Sequence, residues 1–195
     1  MQEIIIAALN EAQAFAHRFR SDPQSIESVA QAAQLMLATL KRSGTIFSCG
    51  NGGSMSDAMH FAEELSGRYR RNRQALAAMA ISDPGHISCV ANDFGYEQVF
   101  ARFLEAHARP RDCLLAISTS GSSANVIEAA RFAKNEGMTV ITLTGAAPVP
   151  LEPFSDVCIF AGSNRFADRI QEMHIKIIHI IIALIENELF PDKLD

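Results

Sequence analysis

A chain of 195 residues, 48% hydrophobic and 20% charged, is long enough for one domain with a sizeable core. Its net charge of -5, without a basic block, excludes the clustered Lys/Arg footprint that a nucleic-acid partner requires. The N-terminal MQEIIIAALNEAQAF lacks the basic leader of a secretory signal. The apolar run Ile177 to Ile185 contains His179 and falls short of the roughly 20 residues that span a bilayer. No membrane partner and a cytoplasmic location are expected. Cys49, Cys89, Cys113 and Cys158 have no metal-like spacing and read as reduced thiols, mostly in the core.

In chain order, apolar residues Ile4, Ile5, Ala8, Ala12 and Phe15 recur at helical spacing, and a second helical pattern runs from Ile26 to Leu40. Ser21-Asp22-Pro23 separates the two. From Gly44 the pattern changes to short apolar runs at 45–49, 76–81, 113–118, 139–143 and 156–160. Helical stretches at about 54–67, 86–107 (in one or two pieces), 122–136 and 165–189 lie among them. This alternation predicts a single domain, residues 1–195, with a helical extension over 1–42 and an α/β sandwich over 43–195. The expected fold class is three-layer α/β/α, a doubly wound five-stranded parallel sheet of flavodoxin type. The two leading helices and the apolar last helix point to homo-oligomerisation. Arg68, Arg70, Arg71 and Arg73 are expected in a solvated turn or a subunit contact.

Ligands of open α/β sheets bind beyond the carboxyl ends of the strands. Two loops there have the composition for it. Cys49-Gly50-Asn51-Gly52-Gly53-Ser54 follows the first strand, and its glycines allow close backbone approach to a ligand. Ser118-Thr119-Ser120-Gly121-Ser122-Ser123 follows the third, with hydroxyls and a helix N-terminus suited to a phosphate. Neither loop is a dinucleotide fingerprint or a Walker motif. Each taken singly is also compatible with an ordinary turn.

Behind the first loop, His60 and Glu64 share a helix face, one turn apart, where they can bind a divalent metal or move a proton. Glu63 should point elsewhere. In the last helix His179 is flanked by isoleucines and must be buried or nearly so. Glu172 lies almost in line with it and Gln171 about 80° away. Spacing does not choose between Gln171 and Glu172.

SCGNGGS, DAMHFAEEL, AISDPGHISCVANDFG, LLAISTSGSSANVIEA, MTVITLTG and DRIQEMHIKIIH together resemble the sedoheptulose 7-phosphate (phosphoheptose) isomerases, of the sugar-isomerase (SIS) domain superfamily. The resemblance runs from about residue 2 to 190. It implies an aldose–ketose isomerase that converts D-sedoheptulose 7-phosphate to D-glycero-D-manno-heptose 7-phosphate through an enediol, the first step of ADP-heptose synthesis for the lipopolysaccharide core. It also implies a homotetramer with active sites at subunit interfaces and a zinc ion held by His60, Glu64, Gln171 and His179. Substrate contacts fall on Asn51, Gly52, Gly53, Ser54, His60, Glu64, Asn92, Asp93, Ser118, Thr119, Ser120, Ser123 and Gln171. Glu64 is the candidate carbon acid/base, and His179 its partner in ring opening and oxygen proton transfer. Two rival functions share the loops. One is a non-catalytic tetrameric scaffold for the bacterial replication initiator, and the other is a sugar-phosphate sensor. The Glu64/His179 pair favours the enzyme over the scaffold. The segment after Gly145, AAPVPLEP, departs from the family pattern and leaves that loop's conformation open.

Overall fold

The computed structural model describes residues 1–163 and 166–191. Its elements are α1 (Gln2–Ser21), α2 (Pro23–Lys41), β1 (Ile46–Gly50), α3 (Gly53–Ser66), β2 (Ala78–Ala80), α4 (Pro84–Phe94), α5 (Val99–His107), β3 (Cys113–Ser118), α6 (Ala124–Asn135), β4 (Thr139–Thr144), β5 (Val157–Phe160) and α7 (Ala167–Leu189). The strands form one sheet in the order β2-β1-β3-β4-β5, every pair parallel. This is the expected doubly wound topology.

Alternate residues of the central strands feed two cores, as the period of two demands. Leu115, Ile117, Ile141 and Leu143 pack with α2, α3 and α7 on one face. Leu114, Ala116 and Val140 pack with α4, α5 and α6 on the other. Burial on both faces explains why these strands read as continuous apolar runs rather than alternating ones. Strand β2, at the sheet edge, keeps only Ala78–Ala80 of the expected 76–81, with Met79 exposed. The expected helix over 86–107 divides at Gly95, whose φ of 95° ends α4. Its second piece, α5, starts at Val99. The start expected for the last helix, residue 165, lies outside the described residues.

The sequence boundary at residue 42 is not a packing boundary. Asp22 caps α2 by accepting from the backbone N–H groups of Gln24 and Ser25, with Pro23 in the first turn. Val29, Ala32, Ala33, Met36 and Leu37 then enter the same core as the sheet and α7. Helix α1 joins that core through its C-terminal half alone. It buries Phe15 and Phe19 but leaves Ile4, Ile5, Ile6 and Leu9 exposed. Among the described residues no helix is long and apolar enough to cross a membrane.

Candidate active site

Strands β1 and β3 are neighbours, but the chain leaves them in opposite directions across the sheet. Such a reversal opens a crevice at the carboxyl ends of the two strands. Helix α3 leaves β1 towards one core and α6 leaves β3 towards the other. The two loops singled out in the sequence therefore meet there.

A reciprocal amide pair joins them. Asn51 Nδ2 donates to Asn125 Oδ1 and Asn125 Nδ2 to Asn51 Oδ1, both at 2.8 Å. The Tyr96 hydroxyl donates to Asn51 Oδ1 from beyond α4, at 3.1 Å. Asn51 thus spends its side chain on holding the loops together. Asn125 and Tyr96 escaped the sequence reading. The one available signal was a polar residue among the apolar positions that open α6.

In the first loop Gly52 adopts φ 55° and starts α3 without a side-chain cap, leaving helix N–H groups to be met otherwise. Gly53 is needed for a different reason. A Cβ there would lie 2.6 Å from Gln171 Nε2, so the Gln171 amide lies directly against the loop backbone. Ser54 is buried.

In the second loop Ser118 is buried and works internally. Its Oγ accepts from the Gly121 N–H at 3.1 Å and lies 3.2 Å from Ser123 Oγ. Ser123 consequently does not cap α6 with its side chain. Thr119, Ser120 and Ser123 retain solvent access. The AAPVPLEP segment buttresses this turn. Leu151 N–H donates to the Gly121 carbonyl at 3.2 Å, and Val149 occupies the space where a Gly121 Cβ would be, 2.5 Å from it. Asn92 and Asp93 lie on the exposed last turn of α4, where Asn92 Nδ2 donates to Asp93 Oδ1 at 2.7 Å.

Two turns along α3, His60 meets His179 of α7, their Nε2 atoms 2.8 Å apart. Glu64 Oε1 lies 3.4 Å from His60 Nε2. One ligating atom from each of His60, Glu64 and His179 falls within 4.8 Å of the others, a set that can hold a metal ion. Two imidazoles and a carboxylate with a further position open are a usual zinc donor set. Glu63, expected to point away, instead places Oε1 3.1 Å from His60 Nδ1. A carboxylate there favours the proton on Nδ1 and leaves Nε2 free as a ligand or acceptor. Tyr69 stacks on His179 with ring centroids 5.7 Å apart.

Gln171, the fourth residue expected at the metal, lies against the loop. It precedes His179 by eight residues on one helix, about 12 Å of rise, and its amide is held at Gly53. Of the two neighbours, Glu172 faces outwards to Arg169, whereas Gln171 lies against the loop. His179, expected to be buried or nearly so, is flanked by isoleucines but shares its helix with a second, more deeply placed histidine. His179 is half-buried, whereas His174 is fully buried, its Nε2 3.1 Å from the Thr144 carbonyl. The apolar stripe of α7 runs through Ile170, His174, Ile177, Ile178 and Ile181, and His179 sits at its margin.

Electrostatics separate the site's acids and bases. Burial, reinforced by the neighbouring Glu63 carboxylate, raises the pKa of Glu64 above its ordinary value. Burial lowers that of His179, helped by His60, Lys176 and Arg70. Asp57, one turn before His60, is pushed up to about 6 by burial, and among the described residues its Oδ2 has no hydrogen-bond partner.

The SIS domain family matches residues 9–145. The phosphoheptose isomerase of Cytophaga hutchinsonii is 55% identical over 189 residues, 97% of this chain and 99% of that one. That of Edwardsiella ictaluri is 54% identical over 188 residues, 96% of this chain and 97% of its own. Among solved structures, phosphoheptose isomerase GmhA from Neisseria gonorrhoeae superposes with a TM-score of 0.88 at 38% identity. The match covers 95% of this chain and 98% of that one.

Proposed function

Since the chain belongs to the SIS domain family and, within it, to the phosphoheptose isomerases, we propose that it interconverts D-sedoheptulose 7-phosphate and D-glycero-D-manno-heptose 7-phosphate. This would supply the first step towards ADP-heptose for the lipopolysaccharide core. The observation that carries the reading is the convergence of His60, Glu64 and His179 at the seam of α3 and α7, with α3 leading back to the loops at the β1/β3 crevice.

Moving a carbonyl from C2 to C1 requires a proton to leave C1 and return at C2, with an enediol between. The Glu64 carboxylate takes the proton from C1 as the C1–H electrons form the C1=C2 double bond and the C2=O π electrons move to O2, which gains a proton. It then gives its proton to C2 as O1 loses one and the C1 carbonyl forms. A pKa raised towards neutrality suits both halves of that exchange. His179, held neutral by its surroundings, can donate to one sugar oxygen and accept from the other, and it serves ring opening in the same way. Thr119, Ser120, Ser123 and the start of α6 receive the phosphate. Asn51, Gly52, Gly53 and Ser54, with Gln171 against them, line the sugar. Asn92 and Asp93 complete the substrate contacts from the rim.

His60, Glu64 and His179 would hold a zinc ion, and the ion when bound polarises sugar oxygens. With Glu63 at its Nδ1, His60 presents Nε2 to that position. Self-association as a homotetramer accounts for the apolar residues that α1 and α7 leave exposed, Ile4, Ile5, Ile6 and Leu9 with Ile180 and Leu184. A cytoplasmic setting agrees with four free cysteines, Cys49 and Cys113 of them buried.

The deciding experiment is proton-exchange NMR of sedoheptulose 7-phosphate with the protein in D2O. Deuterium is expected at the reacting carbon together with appearance of the aldose. A sugar phosphate that binds without exchange would replace the isomerase by a sensor.

A further inference from the structure

The four arginines between α3 and β2 do not share one fate. Arg68 and Arg70 are exposed, and Arg71 donates to Asn187 Oδ1 at 2.8 Å. Arg73 is buried, its side chain 0% exposed. Its guanidinium is spread across two helices. Nε donates to Glu186 Oε1 on α7 at 2.9 Å. One terminal nitrogen donates to the Leu65 carbonyl at 2.7 Å, and the other to the Glu64 carbonyl, also at 2.7 Å.

Those carbonyls belong to the last turn of α3, where a helix has acceptors without intrahelical donors and a partial negative charge. A buried guanidinium satisfies both through charge-assisted bonds. Glu186 lies seven residues, two turns, beyond His179 on the same face of α7. It also accepts from the Arg70 N–H at 3.3 Å. The α3/α7 seam is therefore fastened at one end by Gln171 against Gly53 and at the other by Arg73. His60, Glu64 and His179 lie between the two fastenings.

We propose that Arg73 is a positioning residue of the isomerisation, fixing the end of α3 against α7 so that the Glu64 carboxyl keeps its placement beside His179. The proposal rests on the reading of Glu64 as the carbon acid/base. Lysine cannot substitute. Three different guanidinium nitrogens make the three bonds, and a single ammonium cannot span Glu186 and both carbonyls.

The test compares Arg73→Lys, Glu64→Gln and the two combined, with kcat and KM for sedoheptulose 7-phosphate and a thermal melt of each. A displacement near 1 Å at a reacting group lowers rates by up to about a hundredfold. Arg73→Lys is accordingly expected to lose about tenfold or more in kcat while KM stays within about threefold. In the Glu64→Gln background the same change should remove little more, because residues acting as a unit are not additive. A lysine variant with the parental kcat overturns the proposal, as does a loss that recurs in full without the Glu64 carboxylate. If Arg73→Lys does not fold, the apolar pair Arg73→Met/Glu186→Met takes its place, since such replacements of buried ion pairs often preserve stability. Parental kcat in the folded apolar pair overturns the proposal, and a selective kcat loss supports it. Failure of the underlying reading is separately visible, as carbon proton exchange undiminished in Glu64→Gln alone.

Discussion

His60 and His179 lie 119 residues apart in sequence, yet their Nε2 atoms approach to 2.8 Å. Two imidazole nitrogens tolerate that separation only if one carries a proton aimed at the other, or if a cation takes the proton's place. Glu63 beside His60 Nδ1, at 3.1 Å, favours the proton of the neutral ring there over Nε2, where the Glu64 carboxylate is farther off at 3.4 Å. Calorimetric titration of the chelated protein with zinc is expected to show saturable binding with little proton release from His179, whose lowered pKa already favours the neutral ring. Either His60→Ala or His179→Ala should weaken it severely. Glu63→Gln should weaken it by about tenfold, the lower end of what outer-shell partners usually contribute. Binding unchanged in all three would remove the metal from this cluster.

The Glu63 carboxylate also bears on the pH dependence of the reaction. As the proposed carbon base Glu64 must be ionised to take a proton, and with no cation bound its pKa is raised, first by burial and then by Glu63. Activity should therefore fall with acid at a higher pH than an ordinary glutamate would give. Replacing Glu63 by Gln removes a like charge, favours ionised Glu64 and should move the acid limb of the kcat/KM profile to lower pH. A limb that moves to higher pH, or stays in place, would mean that another group controls it.

Asp57 supplies a stability prediction. Its carboxyl is raised from 3.8 to about 6 by burial, and among the described residues Oδ2 has no hydrogen-bond partner. The folded chain thus holds this proton more tightly than the unfolded chain. The contribution to stability is fully present below pH 4 and is lost as pH rises through 6. Asp57→Asn, which keeps the shape and removes the charge, should stabilise the chelated protein at pH 8 by on the order of 1–2 kcal/mol. It should change little at pH 4. Urea unfolding at the two pH values measures the difference, and equal effects at both would contradict the assignment.

Most of the fold was legible because the sheet is buried on both faces. CLLAIS and TVITLT could not be half-exposed strands, and alternation with helices then left few topologies. The edge strand β2 was overestimated because LAAMAI is apolar although, Ile81 apart, it is not buried. Within the site, His60 and Glu64 were legible from one turn of helix. The approach of His179 to His60 was not, since it depends on the relative placement of α3 and α7. Arg73 was misread because four arginines in six residues look solvated, and only the buried Glu186 on a distant helix shows otherwise. Glu63 was misread for a simpler reason. A side chain on the flank of α3 can still reach back three residues to His60 Nδ1.

The contact between Gly53 and Gln171 gives a final prediction that separates the loop from the metal cluster. A methyl group on residue 53 would fall 2.6 Å from Gln171 Nε2, the far end of a flexible side chain that can swing away. Gly53 begins α3 and carries no positive-φ requirement, so alanine is compatible with the local backbone. Gly53→Ala should therefore fold with stability within about 1 kcal/mol of the parent, as alanine also favours helix. It should displace the Gln171 amide and raise KM for sedoheptulose 7-phosphate. Zinc affinity, proposed to rest on His60, Glu64 and His179 two turns away, should stay unchanged. Gln171→Ala should reproduce the KM effect, and the double variant should be no worse than either alone, because both changes act on one contact. Parallel loss of zinc affinity in Gly53→Ala and Gln171→Ala would instead bring Gln171 into the metal's coordination, and a ligand from a second copy of the chain would then be the route open to it.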